Sequence, residues 1–285
     1  MMKMEPKSDE QGLHRNIART LSVLEALSKG SAEGLRLIDV MRATGLGKTT
    51  AHRILAGLAA HGLAEQDGET GRFFVGLKML SFAAAAKNRF SFVRLVEPAL
   101  ARLAQRTQDT VYLVARVGDE AVCLDSREGS FPIKVLTLNV GDRRPLGIGA
   151  GSQTLIAFLP DEEVERILAL QAEARRAFRF DEVQLREMIA ATRRQGYAYT
   201  DLHVYPGMEA ITDMAGLAVP IRRSDGLPVA ALHVTAITSR LEPPRRDNII
   251  ANLRQEAAQL EAELKPVLDS IQPSSDRQGL TQHLR

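Results

Sequence analysis

Apolar residues recur with two different periods along this chain, and the change falls near residue 110. From 17 to 29 (IARTLSVLEALSK), Ile17, Leu21, Leu24 and Leu27 share one stripe at helical spacing, which predicts a first helix. Leu37, Val40 and Met41 predict a short second helix over 37–44, ended by the breaker Gly45. Across 48–62, Ala51, Ile54, Leu55 and Leu58 form an apolar face. Thr49, His52, Arg53 and Ala56 fall on a different face, joined by Lys48 at the start. LAEQDGETGRFFVG (63–76) then gives two short apolar runs around Asp-Gly and Thr-Gly, the signal of a hairpin. The Ala-rich segment 77–90 reads as a linker helix. Residues 91–107 repeat a helical stripe through Phe92, Leu95, Val96, Ala99, Leu100 and Leu103, with Pro98 expected to mark a helix start or a kink.

Beyond residue 110 the period is two in TVYLVARV (110–117), EAVCLDSR (120–127) and PIKVLTL (132–138), which predicts three strands. Helices are expected at about 151–159, 161–175 and 181–195. Strands follow near 197–201, 216–223 and 228–236, with a Ser-Asp-Gly turn between the last two, and a final helix over 243–270. Helices and strands in separate runs argue for an α+β domain around one antiparallel sheet. Residues 1–14 and 272–285 are polar without periodicity and are expected to be disordered tails.

The stretch GLGKTTAHRILAGLAAHG (45–62) raises two alternatives, a phosphate-cradling loop or a helix lying in a DNA groove. Gly47-Lys48-Thr49 matches the end of a P-loop, but the position that needs the first glycine holds Arg42, and the preceding residues have helical rather than strand spacing. The second alternative fits its neighbours: two helices joined by a tight Gly-containing turn make a helix-turn-helix, and the hairpin reads as a wing. In that arrangement Lys48, Arg53 and Arg72 suit phosphates, while Thr49, Thr50 and His52 are placed to meet base edges. Taken singly these charges read as merely solvated; three helices, turn and wing together favour DNA.

Composition narrows the field. The 285 residues allow two domains, and a net charge of +2 means that an anionic partner must be met by a local patch. A single cysteine, Cys123, excludes an internal disulfide framework and fits a reducing cytoplasm. The apolar runs at 79–86 and 228–237 are too short to span a bilayer, and the N-terminus lacks a signal-peptide core, so no membrane partner is expected.

In the second half, RRPLGIGAGSQTLIAFLP (143–160) places three glycines before a helix whose first turn carries Ser152. Amides at Gly149, Ala150 and Gly151 suit a carboxylate at the helix N-terminus; the alternative is close packing of that helix on the sheet. YTDLHVYPGMEA (199–210) adds polar groups, Asp201 among them. His233 and Thr235 alternate on an otherwise apolar strand and need partners, supplied by a ligand or by the core. A triad of Ser152, His203 or His233, and Asp201 lacks the strand–turn–helix elbow that exposes a nucleophile. A metal set of Asp201, His203, His233 and Cys123 has no ligand spacing behind it. No catalytic residue, metal or cofactor is therefore expected.

RTLSVLEALS (19–28), GLGKTTAHRILAGLAAHGL (45–63) and GRFFVGLKMLSFA (71–83), followed by GDRRPLGIGAGSQTLIAFLP (141–160), RRQGYAYTD (193–201) and GLAVPIRRSDGLPVAALHVTA (216–236), resemble the IclR family of bacterial transcription regulators. The resemblance covers about residues 13–270. It implies a winged helix-turn-helix DNA-binding domain over 15–76, a linker helix over 77–90 and a GAF-like effector-binding domain over 91–271. It also implies homodimers or homotetramers on palindromic DNA operators, repressing or activating catabolic genes in response to small organic or aromatic acids. Carried onto matching positions, the recognition helix is 48–60 and the effector cavity lies among Leu136, Leu146, Gly149, Ala150, Met208, Ala210, His233 and Thr235, with Ser152 and Asp201 beside them. Thr200 stands where many relatives carry an acid, and the segment between Gly207 and Pro220 is longer than usual.

Overall fold

A computed structural model describes residues 8–89, 91–176, 182–201 and 213–271. The chain divides into two compact units, residues 1–88 and 89–285.

The first unit holds α1 (Ser8–Ser28), α2 (Leu37–Thr44), α3 (Lys48–Ala60), the hairpin β1 (Ala64–Gln66) and β2 (Phe73–Val75), and α4 (Lys78–Arg89). Residues 8–14, expected in a disordered tail, are helical. α2 ends as Gly45 enters the left-handed region (φ 68°) and its N–H donates to the Met41 carbonyl. Val23 and Leu27 of α1, Val40 of α2, Leu55 and Leu58 of α3, and Ala64 and Phe73 of the hairpin form one core. The β1–β2 turn is held by Asp67, whose carboxylate accepts from the backbone N–H and the hydroxyl of Thr70. Gly34 (φ 73°) lies under the Phe74 ring: a Cβ added there would stand 2.6 Å from the ring, so only glycine lets the wing close down on the α1–α2 loop.

The second unit runs α5 (Ser91–Thr107), β3 (Thr110–Val117), β4 (Glu120–Arg127), β5 (Arg143–Pro145), α6 (Ala150–Ala157), α7 (Asp161–Leu170), α8 (Ala172–Arg176), α9 (Glu182–Gln195), β6 (Ala198–Asp201), β7 (Met214–Arg222), β8 (Pro228–Ile237), a 3-10 turn (Thr238–Leu241), α10 (Arg245–Glu263) and α11 (Lys265–Ser270). Its sheet has the order β5-β4-β3-β8-β7-β6, with every neighbouring pair antiparallel. Leu100 and Leu103 of α5 and Leu253 and Leu260 of α10 pack with Leu232 and Val234 of β8 on one face. Leu155 of α6, Ile167 of α7 and Leu185 of α9 pack with Tyr112 and Ala231 on the other. Glu256 of α10, only 1% exposed, receives a two-pronged bond from Arg102 of α5, at 2.9 Å from Nε to Oε1 and 2.6 Å from Nη2 to Oε2.

Four expected elements differ. α5 runs unbroken through Pro98, because the carbonyl that loses its donor belongs to Arg94 on the exposed side while Phe92, Val96 and Leu100 stay packed. Residues 132–138 form no ladder and instead lie as a strap pinned by side chains. The helix expected over 161–175 breaks at Gln171, whose side chain reaches the Leu146 N–H and the Asp119 carbonyl. The long terminal helix divides at Leu264, just before Pro266.

Because Leu55 is fully buried at the centre of the first unit, Leu55→Ala is expected to cost about 2–5 kcal/mol of that unit's stability. Urea unfolding followed by far-UV circular dichroism on the variant and the wild type checks it; a loss under about 1 kcal/mol would show a core that closes around the gap.

Candidate DNA-reading helix and ligand pocket

α3 turns its apolar side inward, with Ala51, Leu55 and Leu58 buried, and leaves Lys48, Thr49, His52, Arg53 and Ala56 exposed on the other side. Thr50 is half-buried at the margin. Its first turn carries no acid and no side-chain cap, so Lys48 and the positive end of the helix coincide. Arg72 is half-buried, and its Nη1 donates to the Gly34 carbonyl at 2.9 Å. The residue expected to touch phosphate therefore also ties the wing to the α1–α2 loop.

In the second unit a cavity of about 230 Å³ opens between the start of α6 and the sheet. Leu136 and Thr137 of the strap, Arg144 of β5, Gly149 and Ala150 at the entry to α6, Thr200 of β6, Met214 to Gly216 of β7, and His233 and Thr235 of β8 line it. Gly149 has φ 83°, which a side chain would resist, and this turn sets the amides of the α6 entry at the cavity wall. Gly216 is the point of closest approach. A Cβ added there would stand 2.6 Å from His233 Nε2 and 3.4 Å from both Ala150 Cβ and Thr200 Oγ1. The strap is fixed by donors from inside the domain. Thr235 Oγ1 donates to the Val135 carbonyl at 2.8 Å, the Tyr112 hydroxyl donates to the same carbonyl at 3.2 Å and accepts the Thr137 N–H, and Arg144 Nη2 donates to the Thr137 carbonyl.

His233 is 5% exposed, with its ring centroid 5.7 Å from that of Tyr112. Burial, reinforced by the nearby Arg144 charge, pushes its pKa down to about 3, so the imidazole is neutral. Its Nδ1 has no hydrogen-bond partner among the described residues. Burial likewise drives the Cys123 thiol up to about 12, which makes it an inert packing residue.

Comparison with known proteins matches both units. Residues 16–68 fit the IclR helix-turn-helix domain, and residues 84–262 fit the bacterial transcriptional regulator IclR C-terminal domain. The chain belongs to the IclR family. It is 26% identical over 247 residues to the HTH-type transcriptional regulator XynR of Escherichia coli, covering 86% of this chain and 93% of the relative. It is 27% identical over 269 residues to BhcR of Paracoccus denitrificans, covering 92% of each. An IclR transcriptional regulator from Alicyclobacillus acidocaldarius superposes with a TM-score of 0.69 at 21% identity, over 87% of this chain and 98% of that one. An IclR homolog from Microbacterium hydrocarbonoxydans, solved with 4-hydroxybenzoate, superposes at 0.65 with 22% identity, over 88% and 99%. The protein is thus an HTH-type transcriptional regulator of the IclR family, with an α+β C-terminal domain.

In this IclR-family chain, five of the expected pocket residues meet at the cavity: Leu136, Gly149, Ala150, His233 and Thr235. Leu146 does not. It is fully buried in the core with Leu155 and Leu185, because the backbone between Pro145 and Gly149 turns it away from the cavity. Ser152 lies outside the main cavity; its hydroxyl accepts the Gly147 N–H at 2.9 Å and donates to the Pro145 carbonyl at 3.1 Å, holding the glycine loop in shape. Asp201 ends β6 half-buried, accepts a long bond from the Tyr199 hydroxyl and does not line the cavity. His203, Met208 and Ala210 lie outside the described residues. Among those described, no group of three His, Cys, Asp or Glu is placed to hold a metal, and no helix is long and apolar enough to cross a membrane. Thr200 and the segment holding Gly216 fall on the wall where the resemblance put the pocket, whereas Arg144 was not foreseen as lining. Arg144 sits within the quoted Gly-rich motif, and a cation beside a cavity-forming turn was the available signal; Gly216 is hidden at the head of an apolar strand.

A neutral buried imidazole has a thermodynamic signature. Its folded pKa is depressed below the ordinary 6.5, so its contribution is complete above pH 6.5 and declines as pH falls from 6.5 toward 3, by at most about 1.4 kcal/mol per pH unit. Urea unfolding at pH 7.5 and pH 5.0 should show the wild type losing more stability than His233→Gln. Equal losses would mean that His233 takes up its proton in the folded state.

Proposed function

We propose that this regulator reads an operator through α3 and adjusts its affinity for that operator when a small organic acid occupies the β8–α6 pocket. The observation that carries the reading is the division of α3 into a buried face and an exposed face bearing Lys48, Thr49, His52 and Arg53. Lys48, Arg53 and the free arm of Arg72 take phosphates, and Thr49, Thr50 and His52 take base edges. One such module binds weakly, and a homodimer or homotetramer placing two on a palindromic site gains affinity by linkage. The setting is the cytoplasm and the controlled genes are catabolic. The C-terminal domain serves as a sensor and not a catalyst, a reading supported by the Ser152 hydroxyl being engaged by Gly147 and Pro145.

An effector changes operator affinity only through unequal affinity for two arrangements of the protein, and a tenfold change requires about 1.4 kcal/mol of such preference. α4 (Lys78–Arg89) is the segment that joins the sensing and reading units along the chain, and we assign the transmission to it.

Fluorescence anisotropy with the protein's own promoter fragment tests the assignment. Arg53→Ala should weaken binding to every sequence and make its salt dependence shallower by about one unit of slope. Thr49→Ala should chiefly reduce the preference for the promoter over unrelated DNA. If the two variants lose affinity equally on all sequences, the division of roles along α3 is wrong.

A further inference from the structure

We infer that the joint between α3 and α4 fixes the separation of the two half-sites that a homodimer accepts, with Glu65 and Gly76 as its positioning residues. The inference rests on the operator-reading role of α3 proposed above and adds the residues that set operator spacing. α3 closes on a tight cap. Gly62 enters the left-handed region (φ 72°), its N–H donates to the Ala59 carbonyl at 3.0 Å, and the Leu63 N–H donates to the Leu58 carbonyl at 2.9 Å. The carbonyls that leave this cap receive the head of α4: Leu63 accepts the Gly76 N–H at 3.0 Å, and Gly62 accepts the Lys78 N–H at 3.3 Å. Between them the Leu77 N–H donates to Glu65 Oε1 at 2.9 Å.

Three successive amides at the head of α4 are thus engaged by residues 62, 63 and 65. A helix commonly leaves its first amides to water or to one capping side chain, and neither fixes the direction of its axis. Three anchors in a row set both the position of the first turn and the way the axis leaves it. The carboxylate of Glu65 stands at the positive end of α4, which strengthens its bond to Leu77 although the side chain is exposed. Gly76 closes the joint sterically. A Cβ built there would stand 2.2 Å from the Gly62 carbonyl oxygen and 2.9 Å from the Ala64 nitrogen, both backbone atoms that cannot rotate aside. A reading unit keyed in this way carries α3 wherever the first turn of α4 points. In a dimer the two reading helices are then held at one spacing and one phase, whereas each base pair inserted between half-sites turns one against the other by about 35°.

Footprinting of the full chain on its own promoter fragment locates the paired half-sites. Fluorescence anisotropy then measures binding to that fragment, to fragments with one or two base pairs inserted between the half-sites, and to a fragment that keeps one half-site. The wild type should lose about tenfold or more in affinity on insertion, as expected when geometry forbids the second engagement. Glu65→Ala and Gly76→Ala should cut that penalty to under about threefold while binding the single half-site within about twofold of the wild type. Glu65→Gln, whose amide oxygen still accepts the Leu77 N–H, should keep the wild-type penalty. Circular dichroism checks that each variant is folded, and if Gly76→Ala is not, the two Glu65 variants decide alone. A wild-type spacing penalty in Glu65→Ala shows a joint that only stabilises the reading unit; it overturns the inference and leaves DNA reading by α3 standing. A wild type that binds single and paired half-sites alike removes the dimeric reading on which the inference stands.

Discussion

β8 is buried on both faces along nearly its whole length, and the C-terminal domain is organised around that constraint. Paired to β3 on one side and β7 on the other, it has its backbone groups satisfied by the ladder, so the burden falls on side chains. Ala230, Leu232, Val234 and Ala236 point to the α5–α10 face and meet apolar partners. Ala231 points to the α6 face and does the same. His233 and Thr235, which share that second face, cannot be packed as hydrocarbons. The domain deals with them by stopping its close packing there: Thr235 binds the strap, and His233 is left neutral beside a cavity.

The strap shows what a short extended segment does when it has no neighbour strand to join. Its carbonyls at Val135 and Thr137 are met by a threonine, a tyrosine and an arginine projecting from three different strands. Such point fastenings hold a segment at chosen residues and leave others outward, as with Leu136, which lines the cavity yet remains 59% exposed. The same side chains that pin the strap, Arg144 and Thr235, border the cavity, so the strap's fastening and the cavity wall share two groups.

The DNA-reading unit was legible in outline because its signals are local: α2 and α3 begin and end where the apolar spacing and Gly45 predict. The strands β3, β4, β7 and β8 were legible for the same reason. Residues 132–138 misled because alternation reports on which side chains are buried, and a strap lying across a sheet alternates without pairing. Leu146 misled in the opposite way, since a glycine-rich turn can rotate an apolar residue through half a circle and no periodicity survives it. A lining group such as Arg144 comes alone from a short edge strand, and a lone polar residue next to a turn looks like a solvated one. Gly216 reads as a weak spot in a strand until the atoms of Ala150, Thr200 and His233 are seen to converge on it.

The alternation along β8 has an evolutionary reading as well. Residues that build the core and residues that face the cavity are interleaved at adjacent positions, 232 and 234 against 233 and 235, and they project to opposite sides of the same backbone. Mutation at the second set can therefore reshape the cavity while the first set keeps the sheet intact. A lineage carrying this domain can change what its cavity presents without first losing its fold.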